Sequence, residues 1–309
     1  MEISTNPNPI IRFLFIPIIG ITKFIGRNWP ELLMKIRYFA RFKRRLNLEK
    51  PVTLNEKILY MSLRTDTTLW TKLADKYNVR EYIKDCGLAQ ILVPLYGYWK
   101  EAANIDFELL PDGFVLKTTQ GSGDIIIIPD KNSIDKLDVI KKMDIAVKTK
   151  YGELEGGKHY MRIEPAIIAE GLISNDEESQ KLSSSIIDYK IWCFNGKAYY
   201  IWVCCNRDKY GTDVMTYDLD WNAHPEYSVF YNHYRMGKVI PKPKNFNEMI
   251  ATAEKLSKPF PVVRVDLYNI GGKIYFGEMT FTSLGGLMDF YTDEFQNLAG
   301  SLIDVNYKG

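Results

Sequence analysis

Histidine and cysteine are scarce: three of the first (His159, His224, His233) and four of the second (Cys86, Cys193, Cys204, Cys205) in 309 residues. The cysteines show no C-x-x-C spacing and no paired histidines accompany them. That argues against a zinc site or a disulfide framework, and a reducing, cytoplasmic setting is the simplest expectation. No Ser-His-Asp or Cys-His pattern offers a side-chain nucleophile. No G-K-[ST] follows a glycine loop and no G-x-G-x-x-G occurs, so the common phosphate-loop and dinucleotide fingerprints are missing. A net charge of +2 is too small to mark a nucleic-acid binder. The apolar run FLFIPIIGI, 13–21, is far shorter than the ~20 residues of a spanning helix. It is a poor signal peptide too, with Glu2 the only charge before Arg12 and no clean small-residue cleavage pattern. Neither an internal repeat nor a low-complexity linker is found.

What is present is an ordinary soluble composition, 46% apolar and 25% charged, on a chain long enough for two or three sub-domains. The organisation reads as an apolar and basic helical segment (1–50), a helical region (51–110), a small α/β unit (111–175) and a larger α+β unit (186–309). In the first, KIRYFARFKRR carries Lys35, Arg37, Arg41, Lys43, Arg44 and Arg45 with no acid. Two readings stand. One is a helix packed on the body with a solvated basic face. The other is interfacial docking, with the apolar segment in lipid and the basic run at anionic headgroups.

Local signals mark the elements. Thr53 and Glu56 fit a capping box. LWTKLADKYNVREYI, 69–83, has helical apolar spacing. PLYGYW, 94–99, reads as extended. FVLK, the loop TTQGSGD and IIII then give a strand, a turn and a second strand, and a helix follows with Ser133 as its candidate N-cap. PAIIAEGLI, 165–173, is a strand ending in a turn, and NDEESQKLSSS, 175–185, a polar surface loop. DYKIWCFNGKAYYIWVCC is a hairpin about Asn195-Gly196. NFNEMIATAEKLSKPF, 245–260, is an amphipathic helix, and a last helix falls near 292–304.

Two stretches carry chemistry. In VVRVDLYNIGGKIYFGEMTF, strand alternation puts Arg264, Asp266 and Tyr268 on one face. A two-residue Gly271-Gly272 turn would leave Asp266 and Glu278 on opposite faces. A three-residue bulged turn would set them opposite one another, about 5 Å apart at Cβ, where like charges are unfavourable unless a cation sits over them. Carboxylates are hard ligands suited to Mg²⁺, which borrows further ligands from phosphates and water. Two unrelated surface acids are the plain alternative. In the second stretch, Lys117 ends a strand and precedes TTQGSGD, whose glycines would let backbone N–H groups approach a phosphate; a simple turn is the alternative.

Together and in this order, TLNEKI (53–58), ADKYNVREYI (74–83), LPDGFVLKTTQGSGD (110–124), PAIIAEGLI (165–173), DYKIWCFNGK (188–197), AEKLSKPFPVVRVDLY (253–268) and KIYFGEMTF (273–281) resemble the TupA-type family of the ATP-grasp superfamily. The resemblance implies an α+β ATP-grasp fold with ATP held between two α+β units. Lys117 resembles the lysine on the phosphates, and Gln120, Gly121, Ser122 and Gly123 the loop that covers them. Glu170, Gly171, Leu172 and Ile173 resemble the hinge that meets adenine. Lys190 resembles a second nucleotide-side lysine, and Arg264 the cation that steadies the transition state. Asp266, Glu278 and Thr280 stand at the Mg²⁺ positions. Thr280 replaces a frequent asparagine, the phosphate loop lacks a frequent histidine, and no lysine follows Glu170.

The implied activity is an ATP- and Mg²⁺-dependent carboxylate–amine ligase of cell-surface polysaccharide synthesis. Its acceptor would be a sugar acid or amino sugar on a lipid carrier, met at the inner face of the membrane. Alternatives are a glycosyltransferase of the same pathway, for which the only D-x-D, DLD at 218–220, lies in a strand end or turn, or a non-catalytic ATP-binding protein. The aromatic segment SVFYNHYRMGK, 228–238, is the candidate specificity loop.

Overall fold

A computed structural model describes residues 9–121 and 123–309, with side chains from residue 19 onward. Ser122, Glu2 and the side chains of residues 12–18 therefore lie outside the described residues. The chain opens with a helical pair, α1 (Pro9–Asn28) and α2 (Pro30–Phe42). Pro30 suits the first turn of α2, where its missing N–H is no loss. One face of α2 packs on the body through Met34 and Tyr38, which join Leu59, Leu63 and Leu287 in a small core. Helix α3 (Leu54–Arg64) begins at the expected capping box, with Thr53 Oγ1 accepting from Glu56 N and the Glu56 carboxylate from Thr53 N.

The expected helix over 69–83 is two helices, α4 (Thr68–Ala74) and α5 (Val79–Asp85). Between them the Asp75 carboxylate accepts from Tyr77 N and Asn78 N. A local side-chain bond of this kind competes with the helical ladder, and apolar spacing cannot register it.

The first sheet is antiparallel with order β1-β4-β2-β3: β1 (Leu95–Trp99), β2 (Phe114–Thr118), β3 (Ile125–Ile128) and β4 (Ile167–Gly171). Helix α6 (Lys136–Lys148) covers one face, where Val139, Met143 and Val147 meet Phe114, Leu116, Ile167 and Ala169. The other face carries Lys117 and Glu170 and stays open. Asp135, not Ser133, is the N-cap of α6; its carboxylate accepts from Leu137 N and Asp138 N, while Ser133 closes a 3₁₀ turn. A short helix α7 spans Lys158–Met161. The polar stretch 175–185 is not all loop. It contains α8 (Glu177–Leu182), capped by Asp176 and opened by two acids that suit the positive end of the helix dipole.

The second sheet has order β10-β9-β5-β6-β7-β8. Its strands are β5 (Asp188–Phe194), β6 (Lys197–Asp208), β7 (Gly211–Tyr217), β8 (Tyr234–Met236), β9 (Val262–Ile270) and β10 (Lys273–Thr280), and β7–β8 is its parallel pair. The β5–β6 hairpin turns at Asn195 (φ 48°) and Gly196 (φ 72°), the positive φ angles that a two-residue turn requires. Helix α9 (Phe246–Ser257) lays Met249, Ala253 and Leu256 on the face of Ile191, Val263 and Val265. Each of these side chains except Ala253 contributes about 1.5–3 kcal/mol on burial. Helix α10 (Asp293–Ser301) closes the fold. The architecture is α+β, as the sequence predicts. Among the described residues no helix is long and apolar enough to cross a membrane.

The β9–β10 turn differs from the one the magnesium reading requires. Ile270 pairs with Lys273, so Gly271-Gly272 is a two-residue turn. That register alone would put the two acids on opposite faces. A β-bulge between Phe276 and Glu278 adds one residue, Gly277, and restores Glu278 to the position opposite Asp266. Only glycine fits there, since a Cβ would lie 2.9 Å from the Asp266 carbonyl oxygen. Gly277→Ala is expected to destabilise the protein by roughly 1–3 kcal/mol through overpacking, seen as a lower midpoint in a thermal melt. An unchanged midpoint would show that the bulge is not held by this contact.

Candidate active site

A cleft of about 620 Å³ lies between the open face of the first sheet and the outer face of the second. Alternation sends Arg264, Asp266 and Tyr268 into it, while Val263, Val265 and Leu267 go to the α9 core. Arg264 Nε and Nη2 donate to the two oxygens of Asp266, each at 2.7 Å. Arg264 Nη1 donates to Ser283 Oγ at 2.7 Å, and Nη2 reaches Thr280 Oγ1 at 3.2 Å and Glu278 Oε1 at 3.5 Å. On the neighbouring strand the Lys190 ammonium sits 2.5 Å from Asp266 and 2.6 Å from Asp188. The small sheet supplies a second network. Lys117 Nζ donates to Glu170 Oε2 at 2.8 Å, and Arg80 Nη1 to Glu170 Oε1 at 3.0 Å.

Burial and charge oppose one another here. Burial alone would strip the Lys190 proton, but Asp188 and Asp266 outweigh it and hold the ammonium above its ordinary value. Burial would likewise raise the Asp266 carboxyl, and the adjacent Arg264 and Lys190 charges pull it below the usual range. Lys76 moves the other way: desolvation, reinforced by Lys117, lowers it against the pull of Glu278. Lys76, Arg80 and Arg207 were not singled out from the sequence. Lys76 donates to the Gly121 carbonyl at 2.5 Å, and Arg207 lies 3.5 Å from Asp188. The available signal was position, since Lys76 and Arg80 both fall in ADKYNVREYI, a landmark of the resemblance.

The cleft brings together Lys117, Gly121, Gly123, Glu170, Lys190, Arg264, Asp266 and Glu278 from the sequence-derived set. Others stand elsewhere. Gln120 is buried and points away, its amide donating to the Val147 and Thr149 carbonyls, so it ties the loop to α6 rather than reaching the cleft. Gly171, Leu172 and Ile173 do not line the cleft, and the Gly171 N–H already donates to Pro94 O. Val93 and Leu92 line that end instead. DLD lies in the turn after β7, where Asp218 accepts from Asn222.

A second cavity, about 700 Å³, adjoins the first and shares Lys76, Arg264 and Glu278 with it. Arg37 and Arg41 of α2 wall it, together with Tyr151, Tyr160, Tyr231 and Thr280. The segment 231–234 from SVFYNHYRMGK contributes to this wall. Arg41 pairs with Asp289, and Arg37 donates to the Leu154 carbonyl.

Of the histidines, His233 lines both cavities and His159 is buried against Trp70. Burial, with the Arg162 charge nearby, pushes His159 down to about 3. The unfolded chain takes up this proton near pH 6.5, and the native site refuses it until about pH 3. Stability from this group is therefore complete above pH 6.5 and lost as pH falls, at about 1.4 kcal/mol per pH unit. His159→Leu should flatten that slope in urea melts compared between about pH 7 and pH 5; an unaltered slope would assign it to other groups.

The donors around Glu278 suit a hard cation. The Glu278 side chain is 47% exposed, Thr280 Oγ1 donates to it at 3.2 Å, and Asp266 is its register partner. Among the described residues no group of three or more His, Cys, Asp or Glu side chains gathers as a metal cluster. Mg²⁺ does not demand one, because it is commonly held by one or two carboxylates plus substrate phosphates. Both Asp266 oxygens are engaged by Arg264 in this structure, which leaves Glu278 the more open ligand.

A charged cleft between a small four-stranded antiparallel sheet and a larger, mostly antiparallel six-stranded sheet is the ATP-grasp architecture. Within it, the model of the TupA-like ATP-grasp family matches residues 56–304, and the chain belongs to that family. Solved structures similar to this chain include D-alanine–D-alanine ligase from Bacillus anthracis, at 14% identity and TM-score 0.45 over 75% of this chain. Another is L-amino acid ligase from Bacillus licheniformis, at 13% identity and TM-score 0.49 over 92% of this chain. The chain covers 64% and 65% of those two proteins. Among curated proteins none matches.

Proposed function

We propose that this protein is an ATP- and Mg²⁺-dependent carboxylate–amine ligase. The observation that carries the reading is the meeting of two cavities at Arg264, Glu278 and Lys76, one lined by both sheets and the other by α2 and the tyrosines. A nucleotide in the first would present its terminal phosphate to a carboxylate in the second. The carboxylate oxygen would attack the γ-phosphorus, ADP would leave, and an acyl phosphate would form. An amine would then attack the acyl carbon, release inorganic phosphate and lose its proton, leaving an amide. No side-chain nucleophile is needed, since positioning and charge neutralisation carry phosphoryl transfer.

In this reading Lys117 and Lys190 bind phosphates, with Gly121 and Gly123 offering close backbone approach. Arg264 faces the charge that develops on the transferring group. Asp266, Glu278 and Thr280 would hold Mg²⁺, which supplies charge neutralisation on the phosphates. The acceptor we favour is a sugar acid or amino sugar of a surface polymer. Tyrosine rings and arginines lining the second cavity support it, because they suit a ring with apolar faces and anionic groups. Such chemistry would run in the cytoplasm, at the inner face of the membrane if the saccharide rides on a lipid. The test is phosphate release from ATP and Mg²⁺ with a panel of sugar acids and amines. Release that requires one acid and one amine together, with an amide product by mass, supports the ligase. ATP binding without turnover across the panel supports a non-catalytic protein, and a thermal shift with UDP-sugars but not ATP supports the transferase.

A further inference from the structure

Helix α2 is apolar on two sides. Leu33, Met34 and Tyr38 are buried, as a packed helix requires. Leu32, Ile36 and Phe39, at i, i+4 and i+7, form a second stripe that faces out, each about half exposed. The stripe continues past the helix start to Trp29, 55% exposed, whose ring meets Phe24 of α1 edge-on at 5.7 Å. Ile21, one turn earlier on α1, is exposed as well. Six large apolar side chains thus form one outward surface across the α1–α2 corner. Scattered exposed apolar residues are ordinary; a continuous set on one helical pair is not.

The surface has a basic rim. Lys35 lies on the outward arc of α2, where it pairs with Glu31 at 2.7 Å, and Lys43 and Arg45 follow the end of the helix. Lys35, Ile36, Phe39 and Arg45 border one shallow recess. Lys43 Nζ donates to its own helix at the Ala40 carbonyl, and among the described residues neither Lys43 nor Arg45 meets a carboxylate. Arg41 and Arg44, by contrast, are tied to Asp289 and Asp293, and Arg64 to Glu31 and Glu49. Those three arginines are neutralised, while Lys43 and Arg45, beside the apolar stripe, are left open.

The geometry points to the α1–α2 corner as a docking face for an anionic lipid bilayer. Leu32, Ile36, Phe39 and Trp29 enter the headgroup boundary, with Lys43 and Arg45 at the phosphates. Apolar residues on one arc with cations at its margin are what interfacial helices present, and tryptophan favours that depth. The same face of a second copy would cover the stripe but set its open cations against like charges. The contact is interfacial, since no described helix can span. The inference stands apart from the ligase reading. It also has a consequence for it: the inward side of α2 carries Arg37 and Arg41 to the second cavity, so that cavity lies one helix away from the lipid.

Cosedimentation of the full chain with vesicles tests this. Vesicles of phosphatidylcholine alone are compared with vesicles containing phosphatidylglycerol. The wild-type chain should pellet with the second and stay largely in solution with the first. Ile36→Glu/Phe39→Glu should weaken binding at least tenfold. Lys43→Glu/Arg45→Glu should weaken it by about fivefold or more per charge at low salt, with the difference shrinking as salt rises. Thermal melts should be unchanged for both variants, since all four positions are on the surface. Three results overturn the proposal: no pelleting with either vesicle, equal binding by wild type and both variants, or a solution dimer that Ile36→Glu/Phe39→Glu dissociates, which would give the face to a second copy.

Discussion

Asp266→Asn is expected to lose about 3–5 kcal/mol of stability together with its ATP-dependent phosphate release. The carboxylate is buried between two cations, Arg264 and Lys190, and accepts three charge-assisted hydrogen bonds from them. Removing one partner from such a network leaves its other members desolvated and uncompensated, which costs on that scale. The amide offers one acceptor where the carboxylate had two, and it forces an N–H₂ toward a guanidinium or an ammonium. Asp188 still neutralises Lys190, so the loss falls chiefly on Arg264. A denaturant melt measures the stability term, and phosphate release the second. A variant with wild-type stability would show that water or a rearranged Glu278 takes over the arginine. The pH dependence has a definite sign. The native carboxyl titrates below its unfolded value, so its stabilisation is present at neutral pH and is lost as pH falls below about 4.

Glu278→Gln should separate chemistry from stability. This side chain is half exposed to the cleft, and among the described residues its only ion pair is the 3.5 Å contact with Arg264. A contact this long, with its carboxylate half exposed and Arg264 still paired to Asp266, is worth about 0–1 kcal/mol, so the melting midpoint should barely move. If Glu278 is the open ligand for Mg²⁺ beside the phosphates, phosphate release should fall by roughly 10²–10³, the scale on which one preorganised electrostatic partner acts. The Mg²⁺ concentration for half-maximal rate should rise as well. A variant that keeps the wild-type rate and Mg²⁺ dependence would remove Glu278 from the metal site. Asp266→Asn alone could not separate a metal role from a structural one, because that carboxylate also neutralises buried cations; the pair of variants can.

Gly277 shows how local and global information divide. The alternation of β9 put Arg264 and Asp266 on one face and the valines on the other, and the fold keeps that arrangement because each strand has a wet side and a dry side. The turn was open to two readings, and both placed any irregularity at Gly271-Gly272. The bulge sits five residues beyond Gly272, at a glycine indistinguishable by composition from one in a plain strand. Its location follows from the approach of the Asp266 carbonyl across the ladder, a contact between strands that sequence spacing does not encode.

Elsewhere the same line runs between contacts near in sequence and contacts far apart. The capping box at Thr53 and Glu56, the Asn195-Gly196 hairpin and the stripe of α9 were readable because each depends on residues within about one turn or one hairpin. The break at Asp75 and the cap at Asp135 were also local but carried by carboxylates, whose bonds to nearby N–H groups apolar periodicity does not report. IIII at 125–128 has no polar alternation, so only α6 decides that Ile128 is covered while Ile125 and Ile127 stay exposed. Gln120 reads as part of a phosphate loop, yet the end of α6 supplies carbonyls that turn it inward. Lys76 and Arg80 enter the cleft because the break at Asp75 redirects the chain. The sequence by itself determined the α+β class, most elements and the cleft's principal charges, since these rest on short-range periodicity and residue chemistry. Tertiary structure alone decided the register that opposes Asp266 to Glu278, the cations brought in by the helical region, and the apolar side of α2 that stays uncovered. Each of those depends on which distant surface comes to lie against it.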